Sequence, residues 1–148
     1  MTTGPGLPAS AALPDAMRAE IVEHARRSLP NEACGIVAGD RPWADGGRPL
    51  RWIPLANAHA SPFRYAIDPE ALLALTIELD DAGEAIWAIV HSHPTSPAEP
   101  SPTDIREAFY PEAVQLVVSL AGPKPVIRAW QVADGTASEM DLAATRRG

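Results

Sequence analysis

Two histidines one residue apart, His91 and His93, stand at the end of an apolar run, and an aspartate follows at Asp104. Two imidazoles and a carboxylate are the donor set of a catalytic zinc site. Such a site holds the ion with three protein ligands and keeps a fourth position for water. The run before the histidines, Ala85-Ile86-Trp87-Ala88-Ile89-Val90, is short, wholly apolar and rich in β-branched and aromatic residues. It reads as a buried strand. Side chains two apart on a strand share a face. His91 and His93 are therefore expected to aim together at the strand's C-terminal end, where open α/β sheets carry their sites.

Asp104 has to be returned to those histidines. The connecting loop, with Pro94, Ser96, Pro97 and Pro100, reads as stiff. Ser101 suits a helix N-cap and Pro102 the first helical position, so a helix start would set where Ser101 and Asp104 point. Each pair also has a plainer reading. Ser-x-x-Asp is a capping box, in which the acid bonds the cap backbone. A His-x-His at a strand end can be two solvated residues. Their combination, in this element order, favours a site.

With these residues in view, the chain resembles the JAMM (MPN-plus) metallopeptidases. The matching signature is His91-Ser92-His93-Pro94 and, seven residues after Pro94, Ser101-Pro102-Thr103-Asp104. That family also carries a glutamate at the start of an earlier strand. Glu32, in Asn31-Glu32-Ala33-Cys34-Gly35-Ile36-Val37, matches it. The resemblance covers most of the chain, from the first helix to the last strands. It implies an α/β (α+β) domain of the MPN fold: a curved mixed β-sheet flanked by helices, with a cytidine-deaminase-like architecture. It implies Zn2+ held by His91, His93 and Asp104, with Glu32 holding and deprotonating the attacking water. Zinc lowers the pKa of water it binds from 15.7 to about 7. The Ser101 hydroxyl would help to stabilise the oxyanion of the tetrahedral intermediate.

JAMM enzymes cut amide bonds that follow the C-terminal glycine of ubiquitin-like proteins. The Glu-Ala-Cys-Gly strand, the Asn-Ala-x-x-Ser-Pro loop at 57–62 and the Ser-Pro-Thr-Asp helix start are similar to the small bacterial branch. Its members act on ubiquitin-like sulfur-carrier proteins and release cysteine from the carrier's glycine terminus during cysteine biosynthesis. The carrier tail is expected to dock as an added strand beside the site. An alternative is an isopeptidase that removes ubiquitin-like modifiers from lysine. A non-catalytic MPN scaffold is disfavoured because all five matching positions are present. A deaminase-type zinc site would need a Cys-x-x-Cys, and the chain has one cysteine.

The 148 residues suit one domain with a single core. With 12 basic and 19 acidic residues the net charge is −7, which argues against nucleic acid or an anionic membrane as partner. A single cysteine excludes an intrachain disulfide and fits a reducing cytoplasm. No apolar run approaches the ~20 residues of a membrane span. The N-terminus lacks a charged segment followed by a hydrophobic one, which reads as no export signal. Oligomeric state is open, a homodimer included.

Residues 1–13, mostly Gly, Pro, Ala and Thr, read as a flexible arm before a domain spanning 14–142, with 143–148 a tail. Residues 14–28 read as a helix with Met17, Ile21, Val22 and Ala25 on one face and His24 on its surface. Residues 33–39, 50–55 and 64–67 read as strands. Asp68-Pro69-Glu70 opens a second helix that Gly83 stops. A third helix is expected over 101–109, followed by strands at 114–120, 125–132 and 136–142. Cys34 reads as a small buried hydrophobe on the Glu32 face, and Trp43 as a packing residue. His59 is a spare imidazole without a place in a three-ligand site.

Overall fold

The computed structural model describes residues 7–145. Strand β1 (Ser10–Pro14) leads into helix α1 (Asp15–Ser28). Strands β2 (Cys34–Gly39) and β3 (Pro49–Leu55) pair as an antiparallel hairpin. Helix α2 (Pro69–Asp81) precedes strand β4 (Ala85–His93), which runs into the short helix α3 (Pro102–Arg106). Strands β5 (Val114–Ser119), β6 (Val126–Ala133) and β7 (Thr136–Thr145) complete one seven-stranded mixed sheet. Its order is β1-β7-β6-β5-β4-β2-β3.

The sheet has a core on each face. On one, Met17, Ile21, Val22 and Ala25 of α1 pack on Val37, Ala88, Val90, Val114, Leu116 and Val118. On the other, Leu75 and Leu79 of α2 pack on Ile36, Ala38 and Ile89. Strand alternation explains the split. Ala88 and Val90 point to the α1 face and Ile89 to the α2 face. Continued by two-residue steps, the same alternation puts His91 and His93 on the α2 face. Strand β4 lies inside the sheet, between antiparallel β2 and parallel β5, so both its main-chain edges are taken.

Helix α2 starts as its sequence suggests. Asp68 accepts the Ala71 N–H at 3.0 Å, with Pro69 in the first turn. Gly83, at φ +72°, takes the left-handed turn that closes it. Helix α3 is shorter than expected and ends at Arg106 rather than near residue 109.

Three further boundaries differ from the sequence reading. Ser10–Pro14 is not part of a flexible arm. It pairs in parallel with Asp141 to Thr145, buries Leu13, and its Ser10 carbonyl accepts the Trp43 indole N–H at 3.1 Å. The same pairing carries β7 three residues past Leu142, into the expected tail. A five-residue segment of small residues has little periodicity, and its distant strand partner leaves no local signal. The rest of the expected arm, 1–6, and the last residues, 146–148, lie outside the described residues. Finally, residues 64–67 are not a sheet strand. Ala66 instead pairs with the 57–58 loop, accepting the Ala58 N–H at 2.8 Å and donating to Asn57 Oδ1 at 3.1 Å. Among the described residues, the main-chain groups of Tyr65 and Ile67 have no hydrogen-bond partner.

Candidate metal centre

The end of β4 and the start of α3 bring the three expected donors together. His91 Nε2 and His93 Nε2 lie 3.0 and 3.2 Å from the same oxygen, Asp104 Oδ2. All three side chains are buried or nearly so. Helix α3 aims the aspartate by a full capping box. Ser101 Oγ accepts the Asp104 N–H at 3.1 Å and the Ser101 N–H donates to Asp104 Oδ2 at 2.8 Å. The cap and the approach to the histidines are thus one arrangement rather than rival readings. The cap uses an acceptor site of Ser101 Oγ and leaves its O–H available to donate.

Glu32 sits two residues before β2, 4% exposed, on the face of Cys34 and the two histidines. Glu32, His91 and His93 each offer a donor atom within 4.8 Å of the others, a spacing that can hold a metal ion. The main chain of Glu32 is fixed from several sides. Its N–H donates to the Ser61 carbonyl at 2.8 Å, and its carbonyl accepts from Asn57 Nδ2 at 3.1 Å. Ser92, between the histidines but on the opposite face, accepts the Ala33 N–H at 2.7 Å and donates its own N–H to Ala33 O at 3.0 Å.

Several atoms are poorly served by protein alone. His93 Nδ1 lies 2.8 Å from the Pro97 carbonyl, which can only accept, so that nitrogen carries hydrogen. In the neutral ring, Nε2 is then a lone pair facing a carboxylate oxygen. The pair is satisfied either by a proton on Nε2, as in the metal-free chain, or by a metal ion bound between the two atoms. Glu32 Oε1 is buried with no hydrogen-bond partner among the described residues. Around a four-coordinate zinc with bonds of about 2.0–2.1 Å, neighbouring donors are about 3.3 Å apart. The His91–Asp104 and His93–Asp104 separations are close to that. The donor chemistry and the orphaned carboxylate oxygen fit a metal ion.

One expected support is missing. His91 Nδ1 is buried without a partner among the described residues, whereas a metal-bound histidine usually donates its second N–H. The Tyr65 ring stacks on the His91 imidazole instead, with centroids 4.6 Å apart and planes within 16°. It fixes the plane of the ring in place of a hydrogen bond.

The electrostatics follow from burial and proximity. Burial pushes the Glu32 carboxyl up to about 7; the His93 charge opposes this and the Asp104 charge adds to it. Burial would also raise Asp104, but hydrogen bonds from His91 and His93 outweigh it and hold the carboxyl far below the usual range. Burial lowers His93, yet its bonds to Asp104 and to the Pro97 carbonyl raise it overall. Burial, with the Glu32 charge, lifts the Cys34 thiol to about 12. Its Sγ is turned toward the Leu55 and Ala56 carbonyls, so it behaves as a buried small residue. His59 is exposed and outside the cluster. His24 is half-buried rather than on the surface, with Nε2 3.2 Å from the Cys34 carbonyl.

Glu32, His93 and Ser101 line a cleft of about 250 Å3, with Pro62 and Phe63 on one side and Glu99 on another. Sequence reasoning missed Asn57, Tyr65 and Ser92 as parts of this site. For Ser92 the signal was available: a hydroxyl facing the α1 core from an apolar strand needs a partner.

A buried cluster of imidazoles and carboxylates that can hold a metal ion, set at the end of a central strand, fits a metal-dependent hydrolase. The model of the prokaryotic homologs of the JAB domain matches residues 14–133. The "CysO-cysteine peptidase" of Mycobacterium tuberculosis is 38% identical over 120 residues, covering 80% of each chain. The "Probable TtuB-protein conjugate cleaving protease" of Thermus thermophilus is 42% identical over 97 residues, 65% of this chain and 62% of that one. A solution structure of a Desulfitobacterium hafniense protein aligns at TM-score 0.80 and 34% identity, covering 93% of this chain and 94% of that one. The chain belongs to the prokaryotic JAB-domain family and is a hydrolase of that family.

Proposed function

We propose that the protein is a zinc metallopeptidase that cuts the amide bond after the C-terminal glycine of a ubiquitin-like sulfur-carrier protein, releasing cysteine. The observation that carries this reading is the convergence of both imidazole Nε2 atoms on Asp104 Oδ2, with the unpartnered Glu32 carboxylate alongside. His91, His93 and Asp104 would hold the zinc, which would leave Glu32 free to act as the base. When bound, the ion supplies a Lewis acid and brings the pKa of water to about 7. Glu32 takes the water proton and returns it to the leaving amine. The Ser101 O–H donates to the oxyanion, and the Pro97 carbonyl keeps His93 in the tautomer that binds through Nε2.

Strand β4 has no free edge, so a tail cannot add to it. Residues 64–67 are the alternative, because the main chains of Tyr65 and Ile67 are unpaired there. The same centre would also serve a conjugate linked to lysine; the name of the Thermus relative gives a protein conjugate as what that protein cleaves. No described helix is long and apolar enough to cross a membrane. The reading is tested by incubating the zinc-loaded protein with a carrier–cysteine adduct and with a lysine-linked conjugate, with and without chelator. Cysteine release that chelation stops and zinc restores is expected. Cleavage of the lysine conjugate alone would replace cysteine as the leaving group, and cleavage of neither would defeat the reading.

A further inference from the structure

A second depression, of about 360 Å3, lies against Asp104 and shares no lining residue with the Glu32 cleft. Tyr65, Ile67, Leu72, Ile89 and Tyr110 make its walls mainly apolar. Tyr65 ties it to the metal centre, because the same ring stacks on His91. Phe109, 77% exposed, stands at its border. A large apolar side chain left in water beside an apolar hollow marks a contact surface.

One polar group interrupts these walls. Gln115 of β5 pairs in register with Ile89, so its side chain shares that face. It is 6% exposed, lines the hollow, and makes no side-chain hydrogen bond among the described residues. Its amide nitrogen and oxygen are not sealed off and open onto the hollow. An amide offers a donor and an acceptor together, which is what a peptide main chain complements. The two charged residues on the walls, Asp104 and Glu107, are both acidic.

The direction of the substrate follows from the proposed chemistry, on which this inference rests. Glu32 must reach the leaving nitrogen, so the leaving amine lies in the Glu32 cleft. The acyl chain then departs past Asp104, toward the hollow and along residues 64–67. We propose that the hollow is a subsite for one large apolar side chain of the substrate's acyl-side tail, with Gln115 bonding the tail's main chain. Alternate residues of an extended tail point the same way, so a single position is selected. The acidic wall residues reject an acidic side chain there.

The test uses synthetic tail peptides ending in Gly-Gly, with Leu, Ala or Asp placed at each preceding position in turn. Their affinities for the protein are measured by titration calorimetry, and the same tails extended by cysteine are assayed for cleavage. At one position Leu is expected to bind at least about tenfold better than Ala, the worth of a few buried methylenes, and Asp worse than either. Ala108→Phe, which fills the hollow, should bring the Leu-to-Ala ratio toward one. Gln115→Leu should raise KM for every tail with little change in kcat. Should Ala108→Phe fail to fold, the wild-type series alone decides. Equal binding of Leu, Ala and Asp tails at every position, with cleavage intact, would overturn the subsite and leave the hydrolytic reading standing. Leu-selective binding without cleavage would support the subsite and defeat that reading.

Discussion

Glu32→Gln should stabilise the metal-free protein above neutral pH while abolishing turnover. The folded chain pushes the Glu32 carboxyl from 4.5 up to about 7, chiefly by burial. Below pH about 4.5 the group is protonated in the folded and unfolded chains alike, and it costs nothing. Between about 4.5 and 7 the folded chain holds a proton that the unfolded chain has released, so stability falls as pH rises. Above pH about 7 the loss is complete. At about 1.4 kcal/mol for each pKa unit it amounts to about 3 kcal/mol. With Glu32 only 4% exposed, solvent screens little of it. Glutamine mimics the protonated acid at every pH but brings amide donors of its own, which lower the absolute gain. The diagnostic quantity is therefore the pH dependence of the difference between variant and wild type. His93, raised in the folded chain, also loses stabilisation as pH rises; part of its rise comes from the Glu32 charge, so the variant keeps only the part owed to Asp104 and the Pro97 carbonyl. Urea denaturation of chelator-treated wild type and Glu32→Gln at pH 5 and pH 8 should show the variant gaining about 2 to 3 kcal/mol between the two, since part of the loss is already present at pH 5. A difference that stays flat, or that shrinks toward pH 8, would refute the reasoning. Saturating zinc should shrink the gain, because a dication compensates the buried charge.

Ser101→Ala should keep one zinc per chain and lose about 10²–10³ in kcat, with a further ~1 kcal/mol of stability from the lost cap. Metal analysis and steady-state rates on one preparation check both. Asp104→Asn can still accept the Ser101 N–H, so α3 should survive while zinc affinity falls at least about 100-fold in chelator competition. Asn57→Ala removes the amide that donates to the Glu32 and Arg64 carbonyls and accepts from the His59 and Ala66 N–H groups. It should cost about 2 kcal/mol in denaturation and lower kcat as well, since one side chain holds both the base and residues 64–67.

The site was more legible in the sequence than the edges of the fold. His91 and His93 end an apolar run whose alternation decides their face, and Ser101-Pro102 announces a helix start. These are local rules, and the structure follows them. Ser10–Pro14 becomes a strand only because Asp141 to Thr145 lies beside it, a long-range pairing that leaves no local signal. Residues 64–67 fail as a sheet strand for the opposite reason: Asn57 satisfies Ala66 before any strand can. Tyr65 looked like an ordinary strand aromatic, and only the folded chain lays it on His91. Glu32 was read from its family resemblance, since a lone glutamate before a strand is normally solvated. Its burial without a partner is visible only in three dimensions.

The division of labour among the four acid and imidazole groups is the centre of this account. It is tested most directly by anomalous diffraction at the zinc edge on crystals of the zinc-loaded protein. The expected map has one peak bonded to His91 Nε2, His93 Nε2 and an Asp104 oxygen, with the Glu32 carboxylate beyond bonding distance. A peak bonded to Glu32 with Asp104 displaced would contradict the assignment of base and ligand, and zinc bound away from both histidines would remove the centre itself.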